Sequence, residues 1–253
     1  MKIVIITQED RFFLPDCINV LLSNLNEHHH VCAAVVSDVS PFGKKETLFA
    51  KVKKTLGIFG FLFTFRWAIR YALAILRRKS VTSVLQRHNV DILNLSSSIN
   101  HKDSLARISS YNPDLLISIA GNEIFKRPLI DLAPQGCLNL HTALLPKYRG
   151  LMPSFWVLRF NEKYTGVSVF KVDEGIDSGP IIIQKRIKIN DSSQEQLILK
   201  TKRMGVTAVI EAVAKIEKGD TDFLPNVDDD MTYYSFPTKH DVDEFLKNGN
   251  RFF

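Results

Sequence analysis

The chain has 253 residues, of which 45% are hydrophobic and 24% charged, and its formal net charge is +6. This length suits one large domain, or one domain with a small appendage, which can bury a core without disulfides or metals. The three cysteines, Cys17, Cys32 and Cys137, form no Cys-x-x-Cys pair, which argues against a disulfide framework and a zinc site and favours reduced thiols in a cytoplasmic protein.

The amino terminus predicts a buried strand rather than a targeting segment. Residues 2–7 form an apolar run that is too short for a signal peptide, and acidic residues follow at once. No uncharged apolar stretch of about 18 residues occurs in the chain, so we expect no transmembrane helix.

The first half of the chain alternates short apolar runs with helical patterns. Strands are predicted at residues 2–7, 31–37, 91–95, 114–120 and 136–141, and helices at 14–25, 105–111 and 126–132. This alternation predicts a Rossmann-like α/β fold, with a mainly parallel twisted sheet and helices on both faces. Neither a Gly-x-Gly-x-x-Gly motif after the first strand nor a Walker-type loop is present, which disfavours a nicotinamide or nucleoside triphosphate enzyme.

The second half predicts a helix, an antiparallel hairpin and a long helix. The predicted helix covers residues 153–160, and the hairpin strands are residues 165–173 and 180–189, with an acidic tip between glycines. Ser193 and Gln196 form a capping box for a helix that ends near residue 218. We therefore divide the chain into a catalytic domain at 1–219 and a short tail at 220–253, with one short helix at 241–247.

Residues 44–88 form a basic and apolar insertion. Eleven basic residues and one acidic residue give residues 44–87 a charge of +10, so the rest of the chain carries −4. Arg66 and Arg70 share one helix face. Three interpretations remain open: a helix packed on the same chain or on another subunit, a helix that contacts a membrane surface through residues 55–79, or a site for a substrate phosphate. Nucleic-acid binding has no other support in the sequence.

Polar side chains at the end of the strand at 136–141 predict a functional site. Asn139 and His141 alternate onto one face, and ligands of open α/β sheets bind beyond the carboxyl ends of the strands. A buried histidine within the core is the alternative interpretation. The stiff loop at residues 144–150 follows at once, and Asp177 lies at the hairpin tip between Gly175 and Gly179, so these segments could form the walls of a pocket.

Two ordered motifs resemble the 10-formyltetrahydrofolate-dependent formyltransferases. Residues 139–150 read Asn-Leu-His-Thr-Ala-Leu-Leu-Pro-Lys-Tyr-Arg-Gly, and residues 173–182 read Asp-Glu-Gly-Ile-Asp-Ser-Gly-Pro-Ile-Ile. This family includes glycinamide ribonucleotide, methionyl-tRNA and sugar N-formyltransferases, and the resemblance is nearest to the sugar enzymes. Its strong part spans residues 114–189. Ala143 and Phe170 depart from the residues that many relatives carry, a serine and a second active-site histidine.

The resemblance implies a catalytic trio of Asn139, His141 and Asp177. The amide would donate to the oxyanion that forms when an amine attacks the formyl carbon. The imidazole would move the proton, and the carboxylate would hold its tautomer, favour its charged form or order a water.

The resemblance also implies the binding residues. The co-substrate 10-formyltetrahydrofolate, with no metal, would bind at Ile119, Ala120, Gly121, Asn122, Glu123, Val172, Asp173, Glu174 and Gly175. The substrate loop would comprise Lys147, Tyr148, Arg149 and Gly150.

The acceptor is expected to be a small-molecule amine, most of all an amino sugar on a nucleotide or lipid carrier. Glycinamide ribonucleotide and methionyl-tRNA are alternatives, although only a short segment follows Gly219, where we expect no separate tRNA-binding domain and no nucleic-acid partner. A formyltetrahydrofolate hydrolase and a non-catalytic folate- or lipid-binding protein are the rival classes. The family resemblance is compatible with a homodimer, and the insertion with a peripheral location at the inner face of a membrane.

Overall fold

A seven-stranded sheet lies at the centre of the protein, within residues 1–40 and 47–253 that the computed structural model describes. The strands of the protein are β1 (Lys2–Gln8), β2 (His30–Ser37), β3 (Asp91–Leu93), β4 (Leu115–Ile119), β5 (Cys137–His141), β6 (Arg149–Gly150), β7 (Tyr164–Lys171), β8 (Ile181–Lys188) and β9 (Tyr233–Tyr234). The central sheet has the order β3-β2-β1-β4-β5-β7-β8. Its first five strands are parallel, and β7 and β8 are antiparallel to their neighbours.

Helices cover both faces of this sheet. They are α1 (Leu14–Asn24), α2 (Leu48–Leu76), α3 (Val81–Arg87), α4 (Lys102–Ser109), α5 (Arg127–Ile130), α6 (Pro153–Arg159), α7 (Gln194–Glu217) and α8 (Lys239–Lys247). On one face, Ile3 and Ile5 of β1 pack with α1, α3 and α7. On the other face, Val4 and Ile6 pack with α4 and α5. Because alternate β1 residues are buried on opposite sides, the strand is apolar from Ile3 to Ile6.

The predicted Rossmann-like architecture with an antiparallel hairpin is confirmed. Differences occur at the ends of elements, where local hydrogen bonds decide the boundary. The helix predicted at 105–111 begins at Lys102, because the ring of His101 accepts the N–H of Asp103. The tail helix begins at Lys239 rather than 241, because Thr238 and Asp241 form a capping box.

A third apolar cluster joins the tail to the helical part of the chain. Phe245 of α8 is fully buried. Its ring stacks on those of Phe155 in α6 and Phe252, at centroid distances of 4.9 Å and 4.7 Å. The ring of Phe252 in turn meets that of Phe59 in α2 at a centroid distance of 5.6 Å. The tail therefore packs as part of one core with α6 and α2.

The insertion forms the long helix α2, although residues 44–46 of the predicted segment lie outside the described residues. Thr47 caps the helix, and Gly60 interrupts it with φ 81° and ψ 175°, a conformation that favours glycine. An 18-residue window within Leu48–Arg87 has a mean hydropathy of 1.4 and is only 6% buried. By length and composition alone, this segment could cross a membrane. The sequence-based expectation of no transmembrane helix differs because it required an apolar stretch without any charged residue.

The three cysteines are unpaired, and they lie within the described residues. Burial raises the pKa of the Cys137 thiol above its usual range and also raises the pKa values of Cys17 and Cys32. The thiols therefore stay protonated and unreactive at neutral pH.

We predict that Phe245→Ala destabilises the whole domain, since it removes a fully buried ring from the cluster that joins the tail to α6. The expected loss in the free energy of unfolding is about 3–5 kcal/mol, measured by urea denaturation. The control is Leu246→Ala, because Leu246 is 49% exposed and should change stability by only about 0.5 kcal/mol. Equal effects of the two changes would show that the tail does not share the core.

Candidate active site

Two polar side chains at the carboxyl end of β5 line one cavity. Asn139 is partly exposed, and His141 is buried at 6% exposure. The two residues are separated by Leu140, so strand alternation directs both toward the same side. The structure thus brings together the amide and the imidazole, as predicted from their spacing.

The carboxylate of Asp177 lies beside both of these side chains. Its Oδ2 is 3.5 Å from His141 Nδ1, and its Oδ1 is 3.5 Å from Asn139 Nδ2. The backbone N–H of Gly150 donates to Oδ2 at 2.8 Å. Because the side chains of His141 and Asp177 are only 7% and 13% exposed, water competes little with these contacts. Asp177 therefore joins three separate segments of the chain at one point.

The backbone carbonyl of Tyr148 fixes the tautomer of His141. His141 Nε2 lies 2.7 Å from this oxygen, which can only accept, so Nε2 must carry a proton. Nδ1 is then the nitrogen that takes up and releases a proton, and it faces Asp177. The family resemblance implied Asp177 as one possible holder of the tautomer, whereas a backbone partner seven residues away leaves no signal in side-chain spacing.

The loop that carries Gly150 is held against the tail by close backbone contact. β6 pairs with β9, and the N–H of Leu151 donates to the carbonyl of Tyr234 at 2.8 Å. Gly150 has φ 96°, and a Cβ at this position would lie 2.3 Å from the carbonyl oxygen of Tyr234. Only glycine permits this approach, which presents the Gly150 N–H to Asp177.

Asn226 in the tail holds the hairpin tip from behind. Its side-chain amide donates to the backbone carbonyls of Asp177 at 2.8 Å and Gly179 at 2.9 Å. Its oxygen accepts from Arg149 Nη2 at 3.0 Å, and Arg149 also pairs with Asp228 at 2.7 Å. Sequence reasoning missed Asn226, because it lies 49 residues from Asp177 in a segment with no chemical motif.

The cavity has a volume of about 510 Å³ and is lined by most of the predicted folate-binding residues. These are Ala120, Gly121, Asn122, Glu123, Val172, Asp173 and Gly175, whereas Ile119 and Glu174 do not line it. Several of their side chains are held by the fold. Asn122 donates to the backbone carbonyl of Asp38, and Glu123 accepts from the N–H of Ile99. Backbone groups and apolar side chains thus remain to meet a flat heteroaromatic ligand, which suits a pterin.

Of the predicted substrate loop, Gly150 lines the cavity and the other three residues do not. Arg149 is buried at 5% exposure within its ion pair, where it supports the tail. The hydroxyl of Tyr148 donates to Glu162 at 2.6 Å, and burial followed by this bond raises the pKa of Tyr148 above its usual range. Because Lys147, Tyr148 and Arg149 do not line the cavity, their role in substrate binding stays a prediction.

A second part of the cavity wall was not foreseen from the sequence. It combines the end of β1 and the segment after it with one face of α7, namely Gln8, Asp10, Phe13, Gln194, Ile198 and Lys202. The last three follow helical spacing of four residues. Lys202 Nζ has no hydrogen-bond or ion-pair partner among the described residues, although Lys202 is only partly exposed. The wall therefore presents an unpaired cation to the cavity.

Comparison with known proteins gives a consistent picture. A family model described as formyl transferase matches residues 68–213. The methionyl-tRNA formyltransferase of Kosmotoga olearia is 38% identical over 159 residues, which cover 62% of this chain and 51% of that protein. The same enzyme of Thermodesulfovibrio yellowstonii is 41% identical over 116 residues, 46% of this chain and 38% of that protein. The chain thus spans about half the length of the curated relatives it matches, or less.

Solved structures share the fold at low sequence identity. Glycinamide ribonucleotide transformylase 1 of Symbiobacterium toebii has a TM-score of 0.61 and 17% identity, covering 87% of this chain and 88% of that one. An N-formyltransferase of Helicobacter canadensis, in complex with folinic acid and dTDP-3-aminofucose, has a TM-score of 0.60 and 16% identity. That match covers 98% of this chain and 80% of the other.

We predict that Asn226→Ala loosens the hairpin tip, because it removes two hydrogen bonds to the carbonyls of Asp177 and Gly179. Each such bond contributes about 1 kcal/mol, so hydrogen exchange of the backbone amides at 175–179 should accelerate about tenfold or more. The neighbouring change Val227→Ala is the control, since Val227 is 52% exposed. Unchanged exchange in the Asn226 variant would show that the tail does not position Asp177.

Proposed function

The chain belongs to the formyl transferase family, since the matched family model covers more than half of it, and from this premise we propose that it transfers a formyl group from 10-formyltetrahydrofolate to a primary amine. The observation that carries this proposal is the convergence of Asn139, His141 and Asp177 on one cavity. An amide donor, a proton carrier and a carboxylate are the groups that amine formylation requires.

The chemistry assigns one task to each residue of the trio. The lone pair of the amine nitrogen forms the new bond to the formyl carbon, and the carbonyl electrons move to oxygen. Asn139 Nδ2 donates a hydrogen bond to that oxygen as its negative charge develops. His141 Nδ1 accepts the proton that the amine nitrogen loses. The same proton then reaches the folate nitrogen as its bond to carbon breaks, which releases tetrahydrofolate and the formylated amine.

Asp177 positions this proton transfer. A proton on His141 Nδ1 points toward Asp177 Oδ2 at 3.5 Å, so the carboxylate stabilises the transient positive charge. The Tyr148 carbonyl holds the opposite edge of the ring. With Nε2 held in this way, Nδ1 is the nitrogen that accepts the proton and then returns it.

The proposed acceptor is an amino sugar on a nucleotide or lipid carrier. Three features of the cavity support an acceptor of this kind. Its volume of about 510 Å³ is that of a small-molecule site. Its second wall comes from other segments of the chain than the predicted folate-binding residues, and Lys202 offers an unpaired cation for a phosphate. Glycinamide ribonucleotide, which also carries a phosphate, and methionyl-tRNA are the alternatives, and the latter is the acceptor named for the sequence relatives.

We predict that His141→Asn and Asn139→Ala each abolish most formyl transfer. The expected losses are about 10²–10⁴-fold for the proton carrier and about 10²–10³-fold for the oxyanion donor. Tetrahydrofolate formation would be followed by absorbance and the amine product by mass. The substrates are 10-formyltetrahydrofolate with nucleotide-linked amino sugars, glycinamide ribonucleotide or methionyl-tRNA. His240→Asn is the matched control, because His240 is exposed and does not line the cavity.

Two outcomes would contradict the proposed reaction. Release of formate and tetrahydrofolate without consumption of any amine would identify a hydrolase. Folate binding without turnover of any amine, in a protein with an intact trio, would identify a binding protein. Turnover of methionyl-tRNA alone would keep formyl transfer and overturn the small-molecule acceptor.

We predict that Lys202→Gln raises the KM for a phosphate-bearing amine about tenfold and leaves kcat unchanged. A hydrogen bond to a charged group contributes about 1.5–3 kcal/mol, and a group that binds substrate and transition state equally affects KM alone. The control is Lys200→Gln on the same helix, whose side chain is exposed. An unchanged KM in the Lys202 variant would place the phosphate elsewhere.

A further inference from the structure

The proposed reaction does not use the solvent-facing side of α2. Eleven large apolar side chains of this helix are exposed, and Leu62 reaches 78% and Phe61 73%. The eleven are Leu48, Phe49, Val52, Leu56, Phe61, Leu62, Phe65, Ile69, Leu73, Ile75 and Leu76. Soluble helices turn such residues inward, so an exposed set of this size indicates a surface that another body covers.

The charge of this segment identifies what covers it. Residues 47–87 contain nine basic residues and no acidic residue. Arg70 pairs with Glu195, Lys79 pairs with Asp16, and Arg66 lies over the ring of Phe253. Arg77 and Arg78 are exposed and have no acidic partner among the described residues. Apolar side chains beside unpaired cations match a bilayer that carries anionic headgroups. We propose that α2 docks the protein on the surface of an anionic lipid bilayer.

The inner side of α2 shows that the helix lies on the bilayer rather than crossing it. The ring centroids of Phe63 and Phe252 are 4.8 Å apart, and those of Trp67 and Phe12 are 5.8 Å apart. Arg70 forms its ion pair with Glu195 of α7 on the same side. Insertion across the membrane would break these contacts and place Arg66 and Arg70 in hydrocarbon, at a high energetic cost. The helix therefore keeps one side on the domain and presents the other to lipid.

A second copy of the chain fits this surface less well. In a symmetric dimer, the same face of α2 would meet itself, and two segments that each carry nine basic residues would repel each other. An anionic bilayer instead neutralises them. Charge complementarity thus favours lipid over self-association.

The inner side of α2, opposite the docking surface, reaches the cavity wall. The rings of Phe59 in α2 and Phe236 meet edge to face, with their centroids 6.0 Å apart, and Phe236 lines the cavity. The ion pair of Arg70 reaches Glu195, whose neighbour Gln194 also lines the cavity. α2 would hold this part of the cavity wall near the bilayer surface, where a lipid-carried amine is available. The docking itself is independent of the proposed reaction, whereas delivery of a lipid-carried acceptor rests on it.

Vesicle flotation of the full chain tests the docking. The vesicles contain phosphatidylcholine alone or mixed with phosphatidylglycerol. We expect the protein to float with the anionic vesicles and to remain in the soluble fraction with the neutral ones. Binding should fall strongly at about 1 M salt, where the screening length is about 3 Å.

Paired variants separate the apolar and electrostatic contributions. Leu62→Glu with Phe65→Glu in α2, and separately Arg77→Glu with Arg78→Glu directly after its end, should each weaken binding to anionic vesicles about tenfold or more. These two pairs are called the α2 variants. The matched controls place the same changes outside α2, as Val20→Glu with Leu199→Glu and as Lys163→Glu with Lys188→Glu, all at exposed positions. Controls should float as the unmodified protein does. Thermal unfolding of each variant verifies that it is folded.

Three results would overturn the docking proposal. The first is an unmodified protein that stays wholly soluble with anionic vesicles. The second is binding that is equal for the α2 variants and their controls. The third is a dimer in light scattering that the Leu62 and Phe65 changes dissociate, without vesicle binding by the unmodified protein. Formyl transfer to a soluble amine, measured in parallel, reports on the proposed reaction separately, and we expect the α2 variants to retain it.

Discussion

The arrangement of the site depends on the carboxylate of Asp177. This group lies 3.5 Å from the His141 ring and 3.5 Å from the Asn139 amide, and it accepts the Gly150 N–H at 2.8 Å. Asp177 also has φ 50°, a backbone conformation that few residues other than glycine, Asn and Asp adopt readily. The surrounding hydrogen bonds must therefore hold the hairpin tip in place. Strand β5, the loop before α6 and the tail each supply part of this support.

The sequence was sufficient to predict the fold and the convergence of the trio. Alternation of apolar runs and helical patterns leads to a parallel sheet, and the period of two along β5 places Asn139 and His141 together. The motif at the hairpin tip added Asp177 through its resemblance to the formyltransferases. The fold and the pairing of Asn139 with His141 rest on local periodicity, which is visible in a single chain, whereas the complete trio rests on that family resemblance.

The support of the trio could not be predicted, because it depends on contacts between distant segments. Arg149 belongs to a conspicuous basic loop and was assigned to substrate, yet it turns inward to Asp228 and Asn226. Asn226 belongs to no motif, and its partners are backbone carbonyls. Gly150 was named for its loop, whereas its contribution is a backbone N–H. Such contacts emerge only when tertiary structure brings β9 beside β6, since backbone groups carry no sequence signal of their own.

The basic insertion shows a different limit of sequence reasoning. Its composition left three interpretations open, and the structure separates its two sides. The inner side packs on Phe252 and Phe12, while the outer side keeps its apolar residues in solvent. Apolar residues occur all round the helix, so periodicity alone could not distinguish the two sides. In the proposed function, this helix connects the cavity to a surface on which a lipid-carried acceptor is presented.

A crystal structure of the protein with 5-formyltetrahydrofolate would test the proposed reaction site. This analogue carries the formyl group on a ring nitrogen next to the nitrogen that carries it in the co-substrate. We expect the pterin to lie between residues 120–123 and 172–175. We also expect the formyl end to point toward the Asn139 amide and His141, with Asp177 still in contact with the His141 ring. A folate analogue bound elsewhere, or bound here with its formyl end turned away from Asn139 and His141, would contradict the proposed reaction site.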